Sequence, residues 1–216
     1  MNGAMVLSGG GDIDQTFELD EKYFNLLGNY SKILYIPVAL EINPRANETY
    51  FKWFSSLLEK HDKGKIEIDF TMITGDGVIP NLSLFDSIYF GGGNTYKLLH
   101  FVMTSGLNKK IQQYLASGGV VYGGSAGAII LGKDVRTVEN ENIKKSPLNN
   151  GLDLLAGKSI SCHYTQSEDD KLRKLAQSLQ SEIIALPEDS GLITDSTGLI
   201  IEQVGSVVNF SPNNSI

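Results

Sequence analysis

The sequence predicts a three-layer α/β fold, in which a mostly parallel sheet carries helices on both faces. Short apolar runs alternate along the chain with segments of helical periodicity, and this alternation is typical of a parallel sheet. The chain has 216 residues, enough for one large domain, and no repeat or long linker divides it. We therefore expect a single α/β domain over residues 1–216, with antiparallel strands added near the C terminus.

Four strands and four helices are predicted in the first half of the chain. The strands cover residues 5–8, 32–38, 66–73 and 85–90, and the helices cover residues 17–27, 43–61, 94–102 and 107–117. Pro37 marks the end of the second strand, and Gly28 closes the first helix. Asn94 or Thr95 can cap the third helix. Three glycines at 9–11 follow the first strand, where we expect a close backbone approach beside a functional site.

The second half begins with a β-branched strand and an apolar helical segment over residues 119–130. A polar, turn-rich stretch at 133–150 is typical of an active-site loop. A strand at 158–163, a helix at 168–181 and a strand at 182–187 follow, and residues 191–210 predict short antiparallel strands. His61 lies in the polar end of the second helix, where we expect a solvated surface histidine.

Composition and charge restrict the class of partner. The chain is 41% hydrophobic and its net charge is −7, so we expect neither a nucleic-acid backbone nor an anionic membrane as partner. A single cysteine, Cys162, excludes an internal disulfide and suits a reducing cytoplasm. The N-terminal residues show no signal peptide or membrane-spanning pattern, and we expect a cytoplasmic protein. No cluster of His, Cys and carboxylate residues predicts a metal site, and no cofactor is expected.

The strongest functional signal lies in residues 119–130. Gly123, Ser125 and Gly127 have the G-x-S-x-G spacing of a nucleophile elbow, in which a serine occupies a tight strand-to-helix turn. Small neighbours are needed because the turn is strained, and the next N–H, that of Ala126, can bind an oxyanion. A glycine-rich connection with an incidental serine has the same spacing, so the rest of the chain must decide.

A serine nucleophile needs a base that takes its proton and a partner that orients the base. His163 is the only histidine predicted at a strand end, and Glu188 follows another strand in an equivalent position. These residues predict a Ser125–His163–Glu188 triad, whose chain order counts against an ordinary α/β-hydrolase. Cys162 adjoins His163, but successive strand residues face opposite sides, so we expect a buried, inert thiol.

Four short motifs occur together and in order along the chain. They are residues 90–95 (Phe-Gly-Gly-Gly-Asn-Thr), residues 124–128 (Gly-Ser-Ala-Gly-Ala), His163 and residues 186–188 (Leu-Pro-Glu). With these motifs the chain resembles the peptidase E (aspartyl dipeptidase) and cyanophycinase group of serine peptidases. The resemblance runs from the first strand to the C-terminal hairpins, and it implies a fold related to the class I glutamine amidotransferases.

The resemblance also implies roles for individual residues. Ser125 would be the nucleophile, His163 the general base and Glu188 its partner. The N–H groups of Gly93 and Ala126 would form the oxyanion hole, so the second glycine run would approach the substrate carbonyl closely. We also predict that the substrate is contacted by Asn94, Thr95 and Glu168.

One departure from the family pattern concerns the triad acid. Some peptidase E members carry an acidic residue shortly after the Arg-Thr pair that follows the elbow. Asn140 stands at that place here, with Glu139 and Glu141 beside it. Glu188 is therefore the better candidate for the acid.

A second departure concerns specificity. Aspartyl dipeptidases resemble one another in an arginine, early in the helix after the histidine, that binds the substrate's aspartate. This chain has Glu168 there, and a carboxylate would repel an acidic side chain. Strict Asp-X specificity is therefore not expected, although Arg136 could still serve an acidic substrate.

These patterns together predict a serine peptidase that hydrolyses short peptides with a free N terminus and needs no cofactor or metal. One alternative is an isopeptidase or amidase of the cyanophycinase kind. Another is a catalytically inactive protein of the same fold that binds small peptides. A small peptide is the expected partner, and the family resemblance is consistent with a homodimer.

Overall fold

The computed structural model describes residues 3–28, 30–40, 44–61, 67–74, 78–138 and 149–213, without the side chains of 44–46 and 67–69. The strands within these ranges are β1 (Ala4–Ser8), β2 (Tyr30–Ile36), β3 (Glu67–Met72), β4 (Ser87–Phe90), β5 (Val120–Gly124), β6 (Ser159–Cys162), β7 (Ile183–Leu186), β8 (Gly191–Asp195), β9 (Ile200–Val204) and β10 (Val208–Phe210). The α-helices are α1 (Phe17–Asn25), α2 (Pro44–His61), α3 (Thr95–Thr104), α4 (Leu107–Ala116), α5 (Ala126–Leu131) and α6 (Asp169–Leu179).

Seven strands form the main sheet, in the order β3-β2-β4-β5-β1-β8-β9. The five strands from β3 to β1 are parallel, and β8 and β9 add antiparallel strands at one edge. This confirms the predicted α/β class with its mostly parallel sheet and its C-terminal antiparallel strands. The carboxyl ends of β1, β4 and β5 lie next to one another, and α/β folds of this kind bind their ligands beside these strand ends.

Alternating residues of the strands build a core on each face of the main sheet. Leu34, Ile88 and Val121 belong to the core that contains residues of α3, α4 and α5. The neighbouring residues Tyr35, Tyr89 and Tyr122 belong to the core that contains residues of α1 and α2. The sheet is therefore covered on both sides, because β2, β4 and β5 each present an apolar residue to each face.

Three strands form a separate small sheet, in the order β10-β7-β6. β6 and β7 are parallel, β10 is antiparallel to β7, and α6 contributes to a small core with them. The strands predicted at 158–163 and 182–187 are thus present. They pair with each other instead of extending the main sheet, and this small sheet carries His163 and the segment that leads to Glu188.

Several predicted bounds differ from the structure by one or two residues, and the environment of one histidine was mispredicted. α1 ends at Asn25 rather than at residue 27, because Leu26 N–H donates to the carbonyl of Tyr23 (3.0 Å) in a tighter final turn. The prediction of a solvated His61 is wrong. His61 is 6% exposed, and its ring stacks on Phe17 with centroids 4.6 Å apart, since the end of α2 packs against α1. Among the described helices, none combines the length and the apolar character needed to cross a bilayer.

Candidate active site

Ser125 occupies the turn between β5 and α5 at the carboxyl edge of the main sheet. Its backbone has a φ of 48° and a ψ of −105°, a region that costs a non-glycine residue about 1–3 kcal/mol. Its flanking glycines have no room for a side chain. An added Cβ at Gly123 would lie 2.6 Å from the backbone of Gly127, and one at Gly127 would lie 2.7 Å from the Phe90 side chain. The turn therefore depends on both glycines of the G-x-S-x-G sequence.

His163 directly follows β6 and faces Ser125 from the small sheet. Its Nε2 lies 2.8 Å from the Ser125 Oγ. Its backbone N–H donates to the carbonyl of Gly9 (2.9 Å), and its φ of 55° lies in the left-handed region. The structure thus brings together the serine and the histidine that the sequence predicts as a pair.

Glu188 follows β7 and lies on the other side of the His163 ring. Its Oε1 is 3.0 Å from the His163 Nδ1, and its Oε2 accepts a hydrogen bond from the Gln15 side-chain amide (3.1 Å). The bond with His163, followed by that with Gln15, lowers the pKa of the Glu188 carboxyl. Both His163 and Glu188 have side chains that are 49% exposed. Gln15 was not predicted from the sequence, because it meets Glu188 only through the fold.

The glycine run at residues 9–11 joins the two sheets. Gly9 N–H donates to the carbonyl of Ser190 (2.9 Å), and Gly11 N–H donates to the carbonyl of Glu188 (3.1 Å). Gly10 has a φ of 103°, and an added Cβ there would lie 2.6 Å from the His163 Cε1. This confirms the predicted close approach, because only a residue without a side chain fits beneath the histidine ring.

The second glycine run lies beside Ser125. Gly93 has a φ of 125°, and an added Cβ there would lie 2.6 Å from the carbonyl oxygen of Ala39. Ala126 is the first residue of α5, where backbone N–H groups have no acceptor inside the helix. Asn94 caps α3, as predicted, by accepting a hydrogen bond from the Lys97 N–H (2.8 Å). Its predicted contact with the substrate stays a prediction.

A cavity of about 270 Å³ opens next to Ser125, and we call it the polar cavity. Thr95 lies in its wall, and its buried hydroxyl has no hydrogen-bond partner within the described part of the chain. Residues with a polar or charged side chain line much of the remaining wall: Thr137, His163, Glu168 and Lys171. Two predicted substrate-binding residues, Thr95 and Glu168, thus line the same cavity as Ser125.

The charges of the polar cavity are balanced. Glu168 accepts a hydrogen bond from the Thr165 N–H (3.2 Å) as part of a capping box, and its other carboxylate oxygen is 3.8 Å from the Lys171 Nζ. Lys171 was missed in the sequence, although its spacing of three residues from Glu168 places both on one helix face. Arg136 instead pairs with Asp134, with 2.6 Å between Nη2 and Oδ2.

A second cavity of about 330 Å³ also reaches Ser125, and we call it the aromatic cavity. Its large side chains come from four different elements of the structure and from the segment after β2: Tyr35, Leu40, Tyr50, Trp53, Tyr89 and Tyr122. No sequence motif predicts this cavity, because its residues are far apart along the chain.

Cys162 is not positioned as a second nucleophile. Its Sγ lies 3.5 Å from the carbonyl oxygens of both Ser8 and Ser125, and burial raises the pKa of the thiol. The thiol therefore stays protonated, as expected for an inert cysteine. Residues 139–141, which include the alternative position Asn140, lie outside the described residues.

Comparison with known proteins identifies the family. The model of peptidase family S51 matches residues 4–201. The chain belongs to peptidase family S51. This agrees with the resemblance to peptidase E that the sequence motifs suggest.

Individual S51 relatives match parts of the chain. Peptidase E of Actinobacillus pleuropneumoniae serotype 5b (strain L20) is 32% identical over 117 residues, which cover 50% of this chain and 50% of that protein. Peptidase E of Shewanella denitrificans (strain OS217) is 34% identical over 80 residues, 37% of this chain and 34% of that protein. The chain thus matches half or less of the length of these curated relatives. The crystal structure of a peptidase from an acI-B1 Actinobacterium has a similar fold to this chain, with a TM-score of 0.71 at 19% identity over 100% of this chain and 97% of that one.

Proposed function

We propose that this S51-family protein is a serine peptidase that hydrolyses short peptides with a free N terminus. One observation carries the proposal, namely the unbroken chain of contacts from Ser125 through His163 to Glu188. The distances of 2.8 Å and 3.0 Å are those of hydrogen bonds. A general base and its orienting acid in this geometry are what a serine needs to become a nucleophile.

The proposed reaction begins when the Ser125 Oγ attacks the carbonyl carbon of the scissile bond and the His163 Nε2 takes the serine proton. The carbonyl oxygen becomes an oxyanion, which the N–H groups of Gly93 and Ala126 would bind. The protonated His163 then gives its proton to the leaving amine, and the C–N bond breaks. Water, activated by the same histidine, hydrolyses the acyl-enzyme and restores the Ser125 hydroxyl.

The proton positions follow from the contacts of His163. Its Nε2 must be unprotonated to accept from Ser125, so the ring proton is on Nδ1 and is donated to Glu188. The lowered pKa of Glu188 keeps this carboxylate ionised, which stabilises the imidazolium formed during the reaction. Gln15 holds the second carboxylate oxygen and thereby fixes the orientation of the acid.

The charges that line the polar cavity favour a peptidase that is not strictly specific for Asp-X peptides. Glu168 carries a negative charge into the cavity, and Lys171 lies 3.8 Å from it. An aspartate side chain would meet a repulsive as well as an attractive charge, whereas a neutral side chain needs no ionic partner. The buried Thr95 hydroxyl can hydrogen-bond a polar group of the substrate. We also propose a cytoplasmic location, which the single cysteine supports.

The test combines one variant with covalent labelling. We expect Ser125→Ala to fold normally and to lose about 10⁶-fold in dipeptide hydrolysis, as for triads whose members act as a unit. A serine-directed fluorophosphonate should label the wild type and Ser83→Ala, whose exposed serine lies away from the site, but not Ser125→Ala. Labelling of Ser125→Ala at the wild-type level would contradict the serine mechanism.

The same purified protein tests the specificity. We expect kcat/KM for Asp-Leu to be no higher than for Leu-Leu or Lys-Leu, because Glu168 opposes an acidic side chain. A clear preference for Asp-Leu would show that the cavity selects aspartate after all.

A further inference from the structure

Ser125 lies between two cavities of different chemistry. The polar cavity and the aromatic cavity both include Ser125, and no other described residue lines both. A peptide bond held at Ser125 has a residue on each side. The proposed chemistry uses only the polar cavity, so the aromatic cavity lacks an assigned occupant.

The floor of the aromatic cavity is a row of tyrosines on the main sheet. Tyr35, Tyr89 and Tyr122 are direct cross-strand neighbours on β2, β4 and β5. The rings of Tyr89 and Tyr122 are stacked, with centroids 4.2 Å apart and planes 7° apart. The Tyr122 hydroxyl donates to the buried carboxyl of Asp20 (2.7 Å), which fixes this end of the row.

One wall of the cavity comes from α2. Trp53 is 37% exposed, and its ring centroid lies 6.3 Å from that of Tyr35 and 6.2 Å from that of Tyr89. Because Trp53 is partly exposed and also lines the cavity, the cavity opens to solvent beside this ring. Gly10, Gly92 and neighbouring glycines line the side nearest Ser125, so backbone atoms form this part of the wall. A side chain can therefore enter from solvent and end next to the nucleophile.

The lining favours a ring or a large apolar side chain. Among the described residues that line the aromatic cavity, none is an Asp, Glu, Lys or Arg. A charged side chain placed there would lose its hydration without gaining an ionic partner, which is costly. Aromatic faces, by contrast, pack well against another ring in stacked or edge-on arrangements. The cavity volume of about 330 Å³ is within the usual range for small-molecule sites.

From this geometry we propose that the aromatic cavity is a side-chain subsite, which selects peptides with an aromatic or large apolar residue next to the scissile bond. The inference rests on the proposed peptidase activity and adds a specificity to it. Trp53 and the tyrosine row are the residues that determine the preference.

The kinetic test compares Phe-Ala, Ala-Phe and Ala-Ala as substrates. We expect one of the two Phe peptides to have a kcat/KM at least about tenfold that of Ala-Ala, a discrimination that an apolar pocket can supply. Trp53→Ala should reduce this Phe-to-Ala ratio to within about threefold, since the wall of the cavity is lost. The control is Phe51→Ala on the same helix, where the ring is 51% exposed and contacts Phe70 instead of the cavity. It should keep the wild-type ratio.

A binding test uses Trp53 as a reporter. It is the only tryptophan in the chain, so tryptophan emission reports on this cavity alone. Phe-Ala and Ala-Phe are each titrated into Ser125→Ala, which should not consume them. At least one of them should change the emission saturably, and Ala-Ala should change it much less. N-acetyltryptophanamide with the same peptides corrects for quenching in solution.

The outcomes separate the subsite from the activity. A wild-type Phe-to-Ala ratio near one, an unchanged ratio in Trp53→Ala, or no saturable change in emission would each overturn the subsite. If no dipeptide is hydrolysed by the wild type, the proposed function fails, and the emission titration still decides whether the cavity binds an aromatic side chain.

Discussion

The two sheets that meet at the candidate active site differ in size and in how they are stabilised. The main sheet has seven strands with an extensive core on each face, and it carries Ser125. The small sheet has three strands and a core built around Leu172, Ala176 and Phe210, and it carries His163. The other face of the small sheet packs into the main core, since Ile160, Ile184 and Leu186 belong to the same core as α5. The nucleophile and its base therefore lie on two different sheets that share one core.

At the candidate active site itself, backbone hydrogen bonds connect the two sheets. Ser8 accepts from the Ser125 N–H (3.1 Å), and the next residue, Gly9, accepts from the His163 N–H (2.9 Å). Consecutive carbonyls at the end of β1 thus hold both partners. We therefore expect that a substitution at this junction can lower activity while both cores stay folded. The following predictions test this expectation.

The largest effect is expected at the acid of the small sheet. Glu188→Gln should lower kcat by about 10⁴-fold, because a neutral amide cannot stabilise the imidazolium of His163 and can favour the wrong ring tautomer. Asp189→Asn, which neutralises the neighbouring carboxylate, should change kcat by less than about threefold, as expected for a group outside the hydrogen-bond chain. Steady-state hydrolysis of one dipeptide measures both variants.

Asn140→Ala provides the second comparison for the acid. We expect a much smaller loss of kcat than in Glu188→Gln, since Asn140 has no carboxylate to offer the histidine. A loss in Asn140→Ala as large as that in Glu188→Gln would show that the loop after the elbow supplies the orienting group.

An intermediate effect is expected at the junction itself. In Gly10→Ala the new Cβ would overlap the His163 ring and the Ser125 Cβ, at 2.6 Å and 2.7 Å. Displacing the ring by about 1 Å can cost on the order of 10²-fold in kcat. The left-handed backbone conformation should add about 1–2 kcal/mol of lost stability.

Gly157→Ala is the matched control for Gly10→Ala. Gly157 also has a positive φ, of 82°, but an added Cβ there would have no atom within 4 Å among the described residues. It should show the loss of about 1–2 kcal/mol expected from the backbone conformation alone, without the loss of kcat. Equal kcat values for the two variants would contradict the idea that the glycine run positions the base.

Local sequence signals predicted the elements, but not how the strands pair. The helix predicted at 43–61 is present as α2 (Pro44–His61), because its apolar face is encoded within one segment. β6 and β7 were also predicted as strands. Their apolar runs resemble those of the main sheet, and periodicity carries no information about partners, so the separate small sheet was not foreseen.

The difference between local sequence signals and long-range packing also applies to the candidate site. Ser125, His163 and Glu188 could be selected from the sequence because each has a local signal, a glycine spacing or a strand end. Gln15 and Trp53 have no such signal and reach the site only through packing between distant elements. His61 was mispredicted for the same reason, since its polar neighbours in sequence do not reveal the Phe17 ring that covers it.

The smallest expected effect concerns Asp20, a buried carboxyl on α1 beside the main sheet. Asp20 is 1% exposed and accepts hydrogen bonds from the hydroxyls of Thr16 (2.6 Å) and Tyr122 (2.7 Å). Burial, partly offset by these bonds, raises the pKa of its carboxyl from 3.8 to about 6. Between these two values the folded state binds more protons than the unfolded state, so stability falls as the pH rises. The contribution of the exposed Glu188 has the opposite sign, because its folded pKa is lowered, and it is lost as the pH falls.

The Asp20→Asn variant isolates this contribution. Between about pH 4 and about pH 7 the wild type should lose on the order of 3 kcal/mol more in the free energy of unfolding than Asp20→Asn does, since about two pKa units separate the folded and unfolded carboxyl. Urea unfolding of both proteins at the two pH values gives the difference, in which the titration of all other groups cancels. Parallel pH dependences in the two proteins would show that Asp20 titrates normally in the folded state. The expected result would assign this part of the pH-dependent stability to the buried Asp20 carboxyl.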